Sequence, residues 1–176
     1  MGFVRAALPL VALFRLGPAP EVEQWVPPVP SAPAFVHARL DARTEAALAR
    51  VLAIAEEKLA RPVCREIFAD FRDPGGRPLD RLLEKTGRDA PGFLRGLRFA
   101  DGSAATACRN RYTLAWTHPG TQTVYLCSSE FSDAAHSIPR FTANLLIHES
   151  LHSLGLGENP PASLEITNHV RVKCGY

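Results

Sequence analysis

The sequence predicts a single α+β domain in which helices surround a small, mostly antiparallel sheet. Three segments lead to this prediction: a helix-forming run at residues 41–59, two strand-like segments within residues 111–127, and an apolar helical pattern at residues 139–154. Apolar residues recur at helical spacing in the first and third segments and alternate with polar residues in the second. The chain has 176 residues, which is enough to bury the core of one domain.

Residues 1–33 differ in composition from the rest of the chain. They contain seven of its fifteen prolines, and an apolar run at residues 6–14 follows Arg5. This order is typical of a signal peptide, and the run is too short to span a bilayer. A buried N-terminal helix or strand is the alternative. Residues 18–33 are too rich in proline for helix or sheet, so we expect an extended arm there, followed by a folded domain at residues 34–176.

The charge balance excludes two classes of partner. The chain has 20 Lys and Arg residues against 18 Asp and Glu residues, a net charge of +2. Without a run of like charges, this balance provides no electrostatic surface for nucleic acid or for an acidic membrane. We therefore expect no nucleic-acid partner, and the shortness of the apolar run at residues 6–14 separately predicts no membrane span.

The four cysteines, Cys64, Cys108, Cys127 and Cys174, lie far apart, and none forms a CxxC pair. This spacing favours disulfides over a thiolate metal site, and four reduced, buried cysteines in a cytosolic protein are the alternative. Of the three possible pairings we expect Cys64 with Cys108 and Cys127 with Cys174, because the two loops are then separate and of comparable size. The cysteines and the leader together predict a secreted or periplasmic protein.

The first part of the folded domain is predicted to be a helical scaffold. Asp41 is placed to cap a helix over residues 41–59. A DPGGRP turn at residues 73–78 then precedes short helical patterns at residues 79–85 and 91–97. No chemistry is indicated in this part of the chain.

A β-hairpin is predicted next. The segment RYTLAWT at residues 111–117 places Tyr112, Leu114 and Trp116 on one face of a strand. The segment TQTVYLC at residues 121–127 is rich in β-branched and aromatic residues, and HPGT between the two supplies a turn. We therefore expect two adjacent antiparallel strands.

The residues that carry chemistry are concentrated in the segment FTANLLIHESLHSLGLGENPP. His148 and His152 are four residues apart, so in a helix both imidazoles project from one face and can bind one metal ion. Glu149 lies beside the first histidine. Pro139 favours the start of this helix and Gly155 its end. This is the HExxH arrangement of zinc hydrolases.

A third metal ligand is needed, because a catalytic zinc ion usually has three protein ligands and an open position for water. Glu158 follows the helix closely, and Gly155 would allow the chain to bend back under the metal. Glu165 and His169 lie on a predicted final helix at residues 162–172, and either can approach from that second element. Ligand preference and spacing favour Glu158, and the other two remain alternatives.

The residues His148, Glu149, His152, Gly155 and Glu158 resemble the zincin metallopeptidases. Their HExxHxxGxx layout is most similar to the metzincins, including the secreted snapalysin-like peptidases, whose last ligand is acidic. The match covers about eleven contiguous residues, and the order of helix, strands, active-site helix and short C-terminal helix agrees more loosely. The only methionine in the chain is the initiator, so the Met-turn of metzincins has no counterpart here.

The resemblance implies a zincin-like fold and a zinc-dependent peptidase acting on a peptide or protein substrate. It implies Zn²⁺ bound by His148, His152 and Glu158, with Glu149 as the general base that activates the metal-bound water. Zincins bind extended substrate along an edge strand beside the cleft, and the resemblance assigns that strand to residues 121–127. We expect a monomer.

The sequence leaves several points open. Tyr125, His118, His136 and Tyr176 are candidates to stabilise the oxyanion, and a structural role is the alternative for each of them. Two other functions compete with the peptidase. One is a secreted binding or structural protein whose zinc ion is closed by four protein ligands, and the other is a degenerate zincin without a metal.

Overall fold

The computed structural model describes residues 39–175. The predicted leader and proline-rich arm at residues 1–33 lie outside the described residues, as does Tyr176. The described part of the chain is a small α+β domain with a three-stranded sheet, which confirms the predicted fold class in that coarser form.

The first helix, α1, spans Ala42–Ala60, as the sequence predicts for residues 41–59. Asp41 caps it, because its Oδ1 accepts a hydrogen bond of 2.8 Å from the Thr44 backbone N–H, a group that lacks a partner within the helix. Val51, Ala55 and Leu59 are spaced four residues apart and are fully buried. One face of α1 therefore lies in the core, as expected for an amphipathic scaffold helix.

Four short helices follow α1: α2 at Pro62–Arg65, α3 at Ile67–Asp70, α4 at Leu79–Lys85 and α5 at Ala90–Arg95. The predicted turn lies between α3 and α4. Asp73 closes it, because its carboxylate accepts hydrogen bonds of 2.8 Å from both the backbone N–H and the side-chain Nε of Arg77. The Asp73 side chain is buried, so this turn is fixed against the body of the domain.

The sheet contains β1 at Arg98–Asp101, β2 at Ala115–Thr117 and β3 at Thr123–Leu126, in the order β1-β3-β2. The predicted hairpin is confirmed, since β2 and β3 are antiparallel. The prediction of a mostly antiparallel sheet is wrong, because β1 pairs with β3 in parallel over four residues. The four-residue segment β1 has charged ends and directly follows a helix, so the sequence showed no strand pattern there.

The disulfides join Cys64 to Cys174 and Cys108 to Cys127, so the predicted pairing is wrong. Cys64 lies on α2, which packs against the last helix of the chain and so meets Cys174. Cys108 lies in a 3-10 turn at Thr106–Arg109, next to the end of β3 where Cys127 follows. The pairing is decided by which cysteines lie close together in the fold. A comparable size of the two loops does not favour one pairing over another.

The C-terminal half is built from α6 at Ser128–Ser137, α7 at Pro139–Ser153 and α8 at Ser163–Cys174. Helix α7 is the central helix and packs against α1, α8 and the sheet. Leu146, Ile147 and Leu151 on α7 are fully buried. Within residues 39–175, no helix has both the length and the apolar character needed to cross a membrane.

Candidate metal centre

Helix α7 carries the HExxH residues in its last turns, as the sequence predicts. His148, Glu149 and His152 are all at least nine-tenths buried. The spacing of four residues places the two imidazoles one turn apart, and their Nε2 atoms are 2.9 Å apart. Two histidine nitrogens therefore converge on one point beside a buried carboxyl group.

Glu158 completes this group from the loop that follows α7. Gly155 has a φ of 109°, a backbone conformation that favours glycine, and it lets the chain reverse after the helix. Glu158 Oε1 lies 3.4 Å from His152 Nε2 and 3.9 Å from His148 Nε2. Of the three candidates for the third ligand, the structure brings Glu158 to the histidines, and the three side chains form a group that can hold a metal ion.

The dimensions of this group fit a small divalent metal ion. Its three ligand atoms form a triangle with sides of 2.9, 3.4 and 3.9 Å. A point equidistant from the corners of such a triangle lies about 2.0 Å from each, which is the usual bond length from zinc-like ions to imidazole and carboxylate ligands. The donor set of two imidazoles and one carboxylate is also a common one for such ions. The residues present therefore fit a metal.

The second nitrogen of each histidine is also held in place. His152 Nδ1 donates a hydrogen bond of 2.7 Å to the Leu156 carbonyl oxygen, and because a carbonyl only accepts, this nitrogen carries the proton. His148 Nδ1 lies 3.0 Å from the Thr167 hydroxyl on α8. The protonated Nδ1 of His152 leaves its Nε2 lone pair free for a metal, and the Thr167 hydroxyl can accept from His148 Nδ1 in the same arrangement, which is the usual one around histidine ligands.

Burial shifts the protonation equilibria of two groups at the site. Burial, together with His152, lowers the pKa of His148 to about 3, so this ring is neutral and able to bind a metal. Burial and the Glu158 charge raise the pKa of the Glu149 carboxyl to about 8. Among residues 39–175, no hydrogen-bond donor reaches Glu149 Oε2. A cation beside this carboxyl would lower its pKa, because an opposite charge stabilises the carboxylate.

The other two candidates for the third ligand lie away from this centre. Glu165 is exposed on α8. His169 Nε2 is 2.9 Å from Asp70 Oδ2, and its ring packs against Phe71 at 5.1 Å between centroids. Both side chains are on a different face of α8 from Thr167, which points to the histidines. Within the described residues, the metal-binding group therefore has three members.

A cleft of about 290 Å³ opens at the metal centre. Strand β2 forms one wall of it, with Ala115, Trp116 and Thr117, and the turn after β2 is bonded to α7 through the Gly120 N–H and the His152 carbonyl at 2.9 Å. The assignment of the cleft strand to residues 121–127 is wrong. In the sheet order β1-β3-β2 that segment is the central strand, and β2 is the edge strand beside the cleft.

The three candidates for oxyanion stabilisation that the structure describes, Tyr125, His118 and His136, do not line this cleft. Tyr125 stacks on Trp116 with 4.3 Å between ring centroids, and His118 contacts the same indole edge-on at 5.3 Å. His136 is exposed at the end of α6. These positions favour structural roles, while Tyr176 lies outside the described residues.

Sequence reasoning missed Thr167. It lies 19 residues after His148 on a separate helix, so no local spacing marks it as a partner. Only a general rule could have indicated such a partner: a metal-binding imidazole usually donates its other N–H to an oxygen from a neighbouring element.

Comparisons of the chain with protein-family models, curated proteins and solved structures found no significant match.

Proposed function

We propose that this protein is a secreted zinc-dependent peptidase of the zincin type. The observation that carries the proposal is the position of the buried Glu149, whose Oε2 has no hydrogen-bond partner among residues 39–175, beside three converging ligands, His148, His152 and Glu158. A purely structural metal site has no need of such a group, because burying a carboxyl without a partner is costly. A reaction that requires a proton acceptor would explain why a carboxyl group is buried at this position in spite of the energetic cost.

Zinc is the proposed metal, held by His148 Nε2, His152 Nε2 and Glu158 Oε1. A site with three protein ligands leaves a coordination position open, as catalytic zinc sites do. When bound, the metal would supply Lewis acidity toward the scissile carbonyl and lower the pKa of a bound water. A closed structural site needs a fourth protein ligand, and the described residues place neither Glu165 nor His169 near enough to serve.

Glu149 is proposed as the general base. Its carboxylate would accept a proton from the attacking water and donate that proton to the leaving amine. The buried position keeps the proton affinity of this group high, and a nearby cation would bring its pKa back toward the operating pH, where proton transfer in both directions is efficient.

Strand β2 is proposed as the binding surface for an extended peptide. Among residues 39–175 it pairs with β3 on one side only, and its other side borders the cleft. Backbone groups at such an edge can pair with a substrate strand. This arrangement would place the substrate backbone across the face of His148 and Glu149.

Secretion is supported by the two disulfides, which are compatible with an oxidising compartment. The leader-like pattern at residues 1–33 gives the same indication from the sequence. We propose that the folded domain acts as a monomer on peptides or proteins outside the cytoplasm.

The decisive experiment compares the parent with Glu149→Gln and with the control Glu165→Gln, which makes the same change at an exposed position on α8. Zinc content, thermal unfolding and cleavage of a fluorogenic peptide library are measured for each. We expect Glu149→Gln to keep its zinc and fold but to lose at least about 100-fold in activity, as removal of a general base does. The control should behave as the parent.

Two results would refute the proposal. One is a parent protein that binds no zinc when purified without chelators. The other is a zinc-loaded parent that cleaves no member of the library, or whose activity Glu149→Gln leaves unchanged.

A further inference from the structure

The two histidines of the metal centre are held by different kinds of partner. His152 Nδ1 is bonded to the backbone carbonyl of Leu156, in the loop that follows α7. His148 Nδ1 depends instead on one side-chain hydroxyl, Thr167 Oγ1, which α8 places 3.0 Å away. The orientation of His148 is therefore set by a separate helix.

This hydroxyl is the partner of His148 Nδ1 in the tautomer that can bind a metal. A threonine hydroxyl can donate or accept a hydrogen bond, and it accepts from Nδ1–H when Nε2 is the metal-binding nitrogen. Nε2 then presents its lone pair toward His152 Nε2 and Glu158 Oε1. Without the hydroxyl, Nδ1–H loses this acceptor when Nε2 binds the metal, and the ring loses the contact that holds its orientation.

Helix α8 is fixed firmly enough to hold this contact. Ile166 and Val170, on either side of Thr167, are fully buried in the core. At the end of the helix, Cys174 is joined to Cys64 by a disulfide. A hydroxyl on a rigid element restricts the imidazole more tightly than one on a loop, because it has fewer alternative positions.

We propose that Thr167 is a positioning residue for the metal ligand His148: its hydroxyl holds the ring orientation that places Nε2 in the ligand group and accepts from Nδ1–H when Nε2 binds the metal. The inference rests on the proposed function, since it assumes that this group binds zinc. It adds a fifth residue to His148, Glu149, His152 and Glu158, from a helix that the HExxH pattern does not include.

The experiment uses three variants of the full chain. Thr167→Val removes the hydroxyl and keeps the shape of the side chain, and Thr167→Ser restores the hydroxyl. Thr142→Val is the matched control, because Thr142 is a fully buried threonine on α7 whose hydroxyl donates 3.1 Å to the Ile138 carbonyl, away from the metal ligands. Zinc affinity is measured by competition with a chromophoric chelator, and ligand geometry by the visible spectrum of the Co²⁺ form.

We expect Thr167→Val to lose roughly 10- to 100-fold in zinc affinity, the range found when partners of metal-binding histidines are removed. Its Co²⁺ spectrum should change as well. The zinc affinity of Thr167→Ser should remain within about threefold of that of the parent. Thr142→Val should match the parent in zinc affinity and in the Co²⁺ spectrum, although it also loses a buried hydroxyl. If Thr167→Val does not fold, Thr167→Ala, which places less demand on packing, replaces it in the same comparison.

Equal zinc affinity and an unchanged Co²⁺ spectrum in a folded Thr167→Val or Thr167→Ala variant would overturn this inference and leave the proposed function standing. A parent that binds no zinc would overturn both. If zinc binding depends on Thr167 but the parent hydrolyses no peptide, the positioning role holds and the peptidase proposal fails.

Discussion

Lys58 donates a hydrogen bond of 2.9 Å from Nζ to Asn144 Oδ1, and so joins α1 to the helix that carries the metal ligands. The same ammonium group donates to the backbone carbonyls of Cys174 and Gly175, at 3.4 and 2.6 Å. Asn144 Nδ2 donates to the Gly175 carbonyl at 3.0 Å. One buried lysine thus connects α1, α7 and the end of α8.

Lys58 predicts a pH dependence of stability. Its side chain is 3% exposed, and burial, reinforced by Arg140 and Arg61, lowers its pKa from 10.5 to about 8. Between these two values the unfolded chain binds more protons than the folded one, so the free energy of unfolding gains a contribution that rises with pH from about 8 to about 10.5. Below pH 8 the lysine is charged in both states, and this contribution is absent.

The measurement is urea unfolding of the parent and of Lys58→Met between pH 7 and pH 10. Other titrating groups affect both proteins, so the difference between their free energies of unfolding reports on Lys58 alone. As the pH rises, we expect the free energy of unfolding of the parent to increase relative to that of Lys58→Met, by at most about 3 kcal/mol over the whole range. A difference that stays constant with pH would contradict the lowered pKa.

Gly155→Ala should lower the zinc affinity by straining the backbone that leads from α7 to Glu158. The φ of 109° at Gly155 is one that alanine adopts with strain, at a cost of about 1–3 kcal/mol. Relief of that strain would move Glu158 away from the histidines, so we expect lower zinc affinity as well as lower stability. Gly157→Ala is the matched control, because its added Cβ would meet Pro74 Cγ at an ordinary 3.6 Å. Urea unfolding and chelator competition measure both effects, and equal behaviour of the two variants would contradict the prediction.

The ligand set predicts a hierarchy among three substitutions. Glu158→Gln removes the anionic oxygen that lies 3.4 Å from His152 Nε2, so zinc affinity should fall by more than the roughly 100-fold that loss of an outer partner can cause. Glu165→Gln and His169→Gln should retain the parent affinity, because those side chains lie elsewhere on α8. Competition titrations with zinc test this order. A large loss for Glu165→Gln or His169→Gln would show that the ligand set is different.

The two disulfides should differ in their contribution to stability. The Cys64–Cys174 bond closes a separation of 110 residues, and the Cys108–Cys127 bond one of 19. In the chain-entropy model these loops correspond to about 5 and about 3 kcal/mol. Paired Cys→Ser variants of each bridge, compared by urea unfolding, should therefore show the larger loss for Cys64 and Cys174. The opposite order would indicate that native contacts, rather than loop closure, dominate.

The sequence predicted those features that depend on local spacing. His148 and His152 lie on one helical face because four residues make about one turn, and Glu158 reaches them because only a short loop intervenes. Asp41 was identifiable as a cap for the same reason. Each of these relationships spans ten residues or fewer.

Features that depend on tertiary packing were not predictable in this way. The partner of Cys64 is 110 residues away, and it is set by the packing of α2 on α8. Thr167 becomes a partner of His148 only when α8 docks on α7. The parallel pairing of β1 with β3 likewise depends on how the sheet assembles, since the residues of β1 carry no alternating pattern.

The Cys64–Cys174 bridge has a further consequence for a protein proposed to cut peptide bonds. Its covalent loop encloses the sheet, the metal ligands and most of the chain that the structure describes. A single nick anywhere between these two cysteines would leave both pieces in one covalent molecule. Self-cleavage there would remain invisible on a non-reducing gel and would appear as two fragments only after reduction.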